Sequence, residues 1–94
     1  MYINQMILSA PNNSRIKGKI RNIKRNSKIT VDLEVIDSND VEGLPNFIRH
    51  HIGSVISVVF EPESEAKLKI GDIIESFVEY LGDERGGVFL GKLA

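Results

Sequence analysis

The residues of this chain best suited to chemistry are basic. Positions 15–28 read RIKGKIRNIKRNSK and hold seven of the twelve Lys and Arg. Such a run can contact phosphate, because single-strand binders combine a positive groove with ring side chains that stack on bases. It can equally be one face of a strand whose charge is answered by acids across a sheet. His50-His51 raises metal or acid–base chemistry. Adjacent residues on a helix point about 100° apart, however, and do not converge on one ion. Asp37, Asn39, Asp40 and Glu42 form an oxygen-rich cluster. The sixth position of a calcium loop requires Gly, and here it is Glu42, so the stretch reads as a solvated turn. No nucleophile–base pair and no Gly-rich phosphate loop is legible. GDERGG, residues 82–87, lacks the Lys-Ser/Thr pair and the strand-to-helix setting of such a loop. These readings predict a protein that binds and does not catalyse, with no cofactor and no metal.

Ninety-four residues predict one domain with a modest core. Cysteine is absent, so neither disulfide nor thiolate metal site can form. No apolar run approaches the ~20 residues of a membrane-spanning helix, and MYINQMILSAPNNS lacks the basic start of a secretory signal. A cytoplasmic location is the default expectation. Charge is unevenly spread: residues 32–94 carry five positive and thirteen negative side chains, a net of −8.

These side chains are positioned by elements of period two. In the first strand Ile16, Gly18 and Ile20 alternate with Lys17, Lys19 and Arg21. In the second, Ile29, Val31, Leu33 and Val35 alternate with Lys28, Thr30, Asp32 and Glu34. A hairpin with Asn26-Ser27 at its tip pairs Lys19 with Glu34, Arg21 with Asp32, Ile20 with Leu33 and Gly18 with Val35. A slip of one residue would set charge against the core. Pro45 opens a predicted short helix, PNFIRHHI, which Gly53 stops. SVISVVFE, 54–61, reads as a buried strand. In DIIESFVEYL, 72–81, Ile74, Ser76, Val78 and Tyr80 take the barrel-interior phase, and Ile73, Glu75, Phe77, Glu79 and Leu81 the outer one. VFLGKL, 88–93, is the last strand. Residues 1–14 are an arm, and 15–94 the domain.

Strand, strand, helix and three strands, with Gly18 inside a long first strand and a KLKIGD turn before an alternating one, resembles the OB-fold. The resemblance lies in the pattern of elements over residues 15–93. It implies an all-β, five-stranded Greek-key barrel with one short helix. The helix signal departs from the family pattern, which places the helix between the third and fourth strands. NSRIKGKIRNI with ISVV and LKIGD also resembles, more faintly, the TOBE/Mop-type barrels that bind molybdate. Phe60-Glu61-Pro62-Glu63, however, is acidic where an oxyanion needs donors.

OB-folds clasp a strand between the first hairpin loop and the loop before the last strand. The resemblance therefore implies a single-stranded nucleic-acid or RNA contact at Lys24, Arg25 and Lys28 on the tip, with Lys17 on the strand and Arg85 on the other loop. Phe77 is the outward stacking candidate, but Glu75 and Glu79 flank it. The alternative is a protein partner or self-association through the outward row Ile73, Phe77 and Leu81, an apolar patch that monomers rarely leave open. The N-terminal arm is the other candidate cover for that row.

Overall fold

The computed structural model describes residues 11–83 and 85–94. It is an all-β fold: β1 (Ser14–Arg25), β2 (Ile29–Asp40), β3 (Val55–Phe60), β4 (Ile73–Asp83) and β5 (Gly86–Leu93) close into a barrel of order β1-β2-β3-β5-β4. Only β3 and β5 run parallel, through Val58↔Phe89 and Val59↔Leu90. The remaining neighbours are antiparallel. Among the described residues no helix is long and apolar enough to cross a membrane.

The period-two residues fill the interior. Ile16, Ile20, Ile29, Val31, Leu33, Val35, Ile56, Val58, Phe60 and Val78 are buried, joined by Ile48 and Leu68 from the connections. Each such burial contributes about 1.5–3 kcal/mol before entropy is counted. The expected β4 phase also holds: Ser76 and Val78 are buried, while Ile73, Glu75 and Glu79 are exposed.

The expected register holds at Gly18↔Val35, Lys19↔Glu34 and Ile20↔Leu33, then changes. Arg21 does not face Asp32. It is the extra residue of a bulge, and Asn22 takes the place opposite Asp32. The cause lies in the sequence: Ile20 and Ile23 are three apart, and both reach the core side only if one residue between them is unpaired. The shift lengthens the tip from two residues to three. Arg25 pairs with Ile29, and the Asn26 N–H donates to the Lys28 carbonyl at 3.1 Å.

The helix expected over 45–52 is a single 3-10 turn, Arg49–His51. Asn46 Oδ1 accepts the N–H groups of Ile48 (2.9 Å) and Arg49 (3.0 Å) and so caps the turn, but the Gly53 N–H donates to the Val35 carbonyl at 2.8 Å, and the chain joins β2 after a single turn. Gly53, the expected stop, has φ +90°. The connection between β3 and β4 carries another 3-10 segment, Pro62–Lys67, where the OB pattern has its helix.

Candidate functional site

The fold answers much of the basic stretch. Arg15 pairs with Glu75 at 3.0 Å, Arg21 with Glu34, and Arg25 with Glu65 at 2.6 Å. Lys17 stands in register between Asp37 on β2 and Glu75 on β4, and Lys19 lies opposite Glu34. These are solvent-facing pairs and contribute little to stability, about 0–1 kcal/mol each. They do lower the positive potential of the strand. Lys24 is exposed opposite Thr30. Lys28, at the tip, borders an open cleft of about 600 Å³ whose rim carries Lys67 and Lys92 against Glu61, Glu63 and Glu79. That rim has no net sign.

The two expected clasping loops lie at opposite ends of the sheet. Ile29, beside the tip, pairs with Phe60 at the end of β3. Gly86, at the start of β5, precedes by three residues the Phe89↔Val58 pair and so lies toward the start of β3. Arg85 is exposed on that β4–β5 loop. From Val55 to Phe60 the strand spans roughly 17 Å at ~3.3 Å per residue. The outward side chains between the loops are Thr30, Asp32 and Glu34 on β2 and Val55, Ser57 and Val59 on β3. Asp32 accepts the Ser57 hydroxyl at 2.8 Å. This face carries no ring on which a base can stack.

Phe77 is outward, as expected, but half-buried, and the Arg15 guanidinium lies 5.7 Å from its ring centre. Leu81 is half-buried too, and Ile73 is 58% exposed. The outer row is thus apolar at Ile73 and partly covered at the other two positions. Its other expected cover, the arm, lies at residues 1–10 outside the described residues.

The rings gather elsewhere. Phe47 and His51 from the β2–β3 connection, Tyr80 from β4 and Phe89 from β5 line one open pocket of about 470 Å³. Tyr80 and Phe89 lie 5.3 Å apart between centres, and His51 meets Phe89 at 5.7 Å, nearly edge-on at 79°. Phe47 is 41% exposed. Tyr80 has the interior phase of β4, yet it sits past Val78, where the core ends, and turns into this pocket. Its backbone N–H and C=O are both held by buried Asn12, which donates to its carbonyl at 2.9 Å and accepts its N–H at 2.8 Å.

Asn46 sets the loop that presents Phe47 and His51. Its Oδ1 also accepts the Ser14 hydroxyl at 2.7 Å, and its Nδ2 donates to Ser38 at 2.8 Å and to Asp40 at 3.1 Å. Arg49 closes the loop on Asp40 at 2.8 Å. The hydrogen bond from Arg49, and after it that from Asn46, hold the Asp40 carboxyl below the usual carboxylate range. A depressed carboxylate stabilises the fold above its unfolded pKa of about 3.9, and that contribution is lost as pH falls through the lower folded value. In a carboxyl-carbon NMR titration Asp40 is expected to titrate below the usual range, and to move back toward it in Arg49→Gln.

Among the described residues no group of three or more His, Cys, Asp or Glu converges to hold a metal ion. No family model and no curated protein matches the chain.

Proposed function

We propose that this barrel is a non-catalytic OB-fold module that binds single-stranded nucleic acid. The observation that carries the reading is the open cluster of Phe47, His51, Tyr80 and Phe89. It supplies the stacking surface that single-strand binders require and that the β2–β3 face lacks. The basic turn Arg49-His50-His51 adjoins the rings. Lys24 and Lys28 are exposed at the far end of the sheet.

Few phosphates can be neutralised, because Arg15, Arg21, Arg25 and Arg49 are engaged with acids. Salt dependence is therefore expected to be shallow. Two or three phosphate contacts give a slope of about −1.4 to −2.1 in log K against log salt, on the order of tenfold between roughly 50 and 200 mM. Fluorescence anisotropy of labelled DNA and RNA oligomers measures it. Replacing Lys24 and Lys28 with Ala should flatten the slope by about 1.4 and leave stacking in place. Absence of binding at both salt concentrations would overturn the reading. It would favour a protein partner at exposed Ile70 (62%) and Ile73 (58%), on and beside the turn before β4.

A further inference from the structure

The ring pocket is more elaborately built than a general stacking surface. Its four lining side chains are all planar and come from three separate segments. Tyr80 is seated as well as clamped. Beneath it Gly82 and Gly87 face each other across the β4–β5 pair. A Cβ on Gly87 would stand 2.7 Å from Tyr80 Cζ, and one on Gly82 would stand 2.8 Å from Tyr80 Oη. The ring therefore lies on bare backbone, where any other residue would lift it. Asn12 fixes the strand from the opposite edge, and Phe89 backs the ring. Platforms held this way lose little entropy on binding. A volume of about 470 Å³ lies within the ~300–1,000 Å³ of small-ligand sites. The lining side chains able to hydrogen-bond are those of Tyr80 and His51, which suit the edge of a base. Beside it the Arg49–His51 turn carries a guanidinium paired with Asp40 at 2.8 Å and two imidazoles whose N–H groups can donate to a phosphate oxygen.

We infer that this pocket is a single-nucleotide site: one base inserts among Phe47, Tyr80 and Phe89, and its phosphate faces the Arg49–His51 turn. The inference rests on the nucleic-acid reading but makes a separate claim, because such a pocket accepts a free nucleotide as well as one within a strand. Tyr2 and Tyr80 are the only tyrosines and there is no Trp, so a Tyr2→Phe background leaves Tyr80 as the reporter.

In that background, adenosine 5′-monophosphate is titrated to about 10 mM, a range that captures millimolar affinity. Tyr80 emission and ring-proton NMR shifts are read, with ribose 5-phosphate as the control. Saturable quenching and shifts at Phe47, Tyr80 and Phe89 are expected with the nucleotide and not with the sugar phosphate. Phe47→Ala should weaken binding about tenfold, since one stacked base contributes roughly 1–3 kcal/mol, and Phe47→Trp should restore it. Phe47 is exposed, so the fold should survive both changes. If oligomers bind but neither nucleotide nor strand disturbs these rings, the pocket inference falls, and strand binding stands on a surface other than the rings. If the nucleotide binds and oligomers bind no tighter, the pocket stands and the strand reading falls. If neither binds, both fall. Equal shifts from ribose 5-phosphate would also overturn the base site.

Discussion

Asn46→Leu is expected to lower the melting temperature by about 10–20 °C and to abolish ring-site binding together with it. Asn46 Oδ1 lies within bonding distance of the Ser14 and Ser38 hydroxyls and of the Ile48 and Arg49 N–H groups. Nδ2 reaches Ser38 and Asp40. A typical hydrogen bond contributes about 0.5–1.5 kcal/mol net, and a buried group left without a partner costs about 1–3 kcal/mol. Water can replace the bonds to Asp40 and Arg49, which are exposed. It cannot readily reach Ser14, which is 1% exposed, or the N–H of buried Ile48. A loss of roughly 2–3 kcal/mol follows, a large share of the ~5–14 kcal/mol available to a domain of this length. Leu keeps the volume and removes the bonds, so thermal denaturation isolates the polar contribution. The functional consequence is local. Asn46 sits between β2 and the 3-10 turn, with Phe47 next to it and His51 one turn on, so both sides of the ring pocket depend on the same side chain. Asn46→Asp keeps the acceptor that serves the two N–H groups but replaces the donor to Asp40 with a second carboxylate, so it should recover part of the loss. If the two variants were equally stable, the Oδ1 contacts would not be what holds the loop.

Much of this barrel is legible in the sequence because alternation is a local property. Ile29, Val31, Leu33 and Val35 declare an inner face, and the hairpin that pairs Ile20 with Leu33 follows from keeping charge off it. The bulge at Arg21 was also written there, in the three-residue step from Ile20 to Ile23, but a plain alternating reading overrides that step. The short helix expected over PNFIRHHI stops after one turn: Ile48 is buried, but Ile52 leaves the helical region at ψ 127° and is 46% exposed, because the Gly53 N–H donates to the Val35 carbonyl and draws the chain into pairing with β2. The basic strand was ambiguous for a physical reason. Its answering acids Glu65 and Glu75 lie 40 and 60 residues away, at distances no local pattern encodes. The same holds for the ring pocket, whose four members come from three segments. Asn12 falls in the arm expected over residues 1–14, and only its 5% exposure and its two bonds to Tyr80 reveal that it continues β1's pairing with β4 through a side chain.

Gly91→Ala is expected to destabilise the barrel by about 2–3 kcal/mol, and Gly91→Val by more, with melting temperature falling about 4–8 °C per kcal/mol. A Cβ on Gly91 would lie 2.6 Å from Phe60 Cε1, 2.7 Å from Cζ and 2.7 Å from Val58 Cγ1. Phe60 is 1% exposed and Val58 0%, so neither can swing into solvent, and a close-packed interior yields only by moving strands. The strands that must move form the thinnest seam of the barrel. β3 and β5 meet through two residue pairs, whereas β4 and β5 share eight. The strain therefore opens β3 from β5 before it disturbs any other pairing. A double-mutant cycle separates this mechanism from a simple loss of backbone freedom. Phe60→Leu alone leaves a cavity and should cost on the order of 1–3 kcal/mol. Combined with Gly91→Ala it removes the clashing ring atoms, so the pair should cost clearly less than the sum of the single changes. Additive costs would mean that the ring does not rest on Gly91. The seam also joins the core to the proposed site, because Phe89 pairs with Val58 in the seam and backs Tyr80 in the pocket. Gly91→Ala should therefore weaken nucleotide binding although residue 91 does not line the ring pocket, and Phe60→Leu should recover part of that loss in parallel with stability.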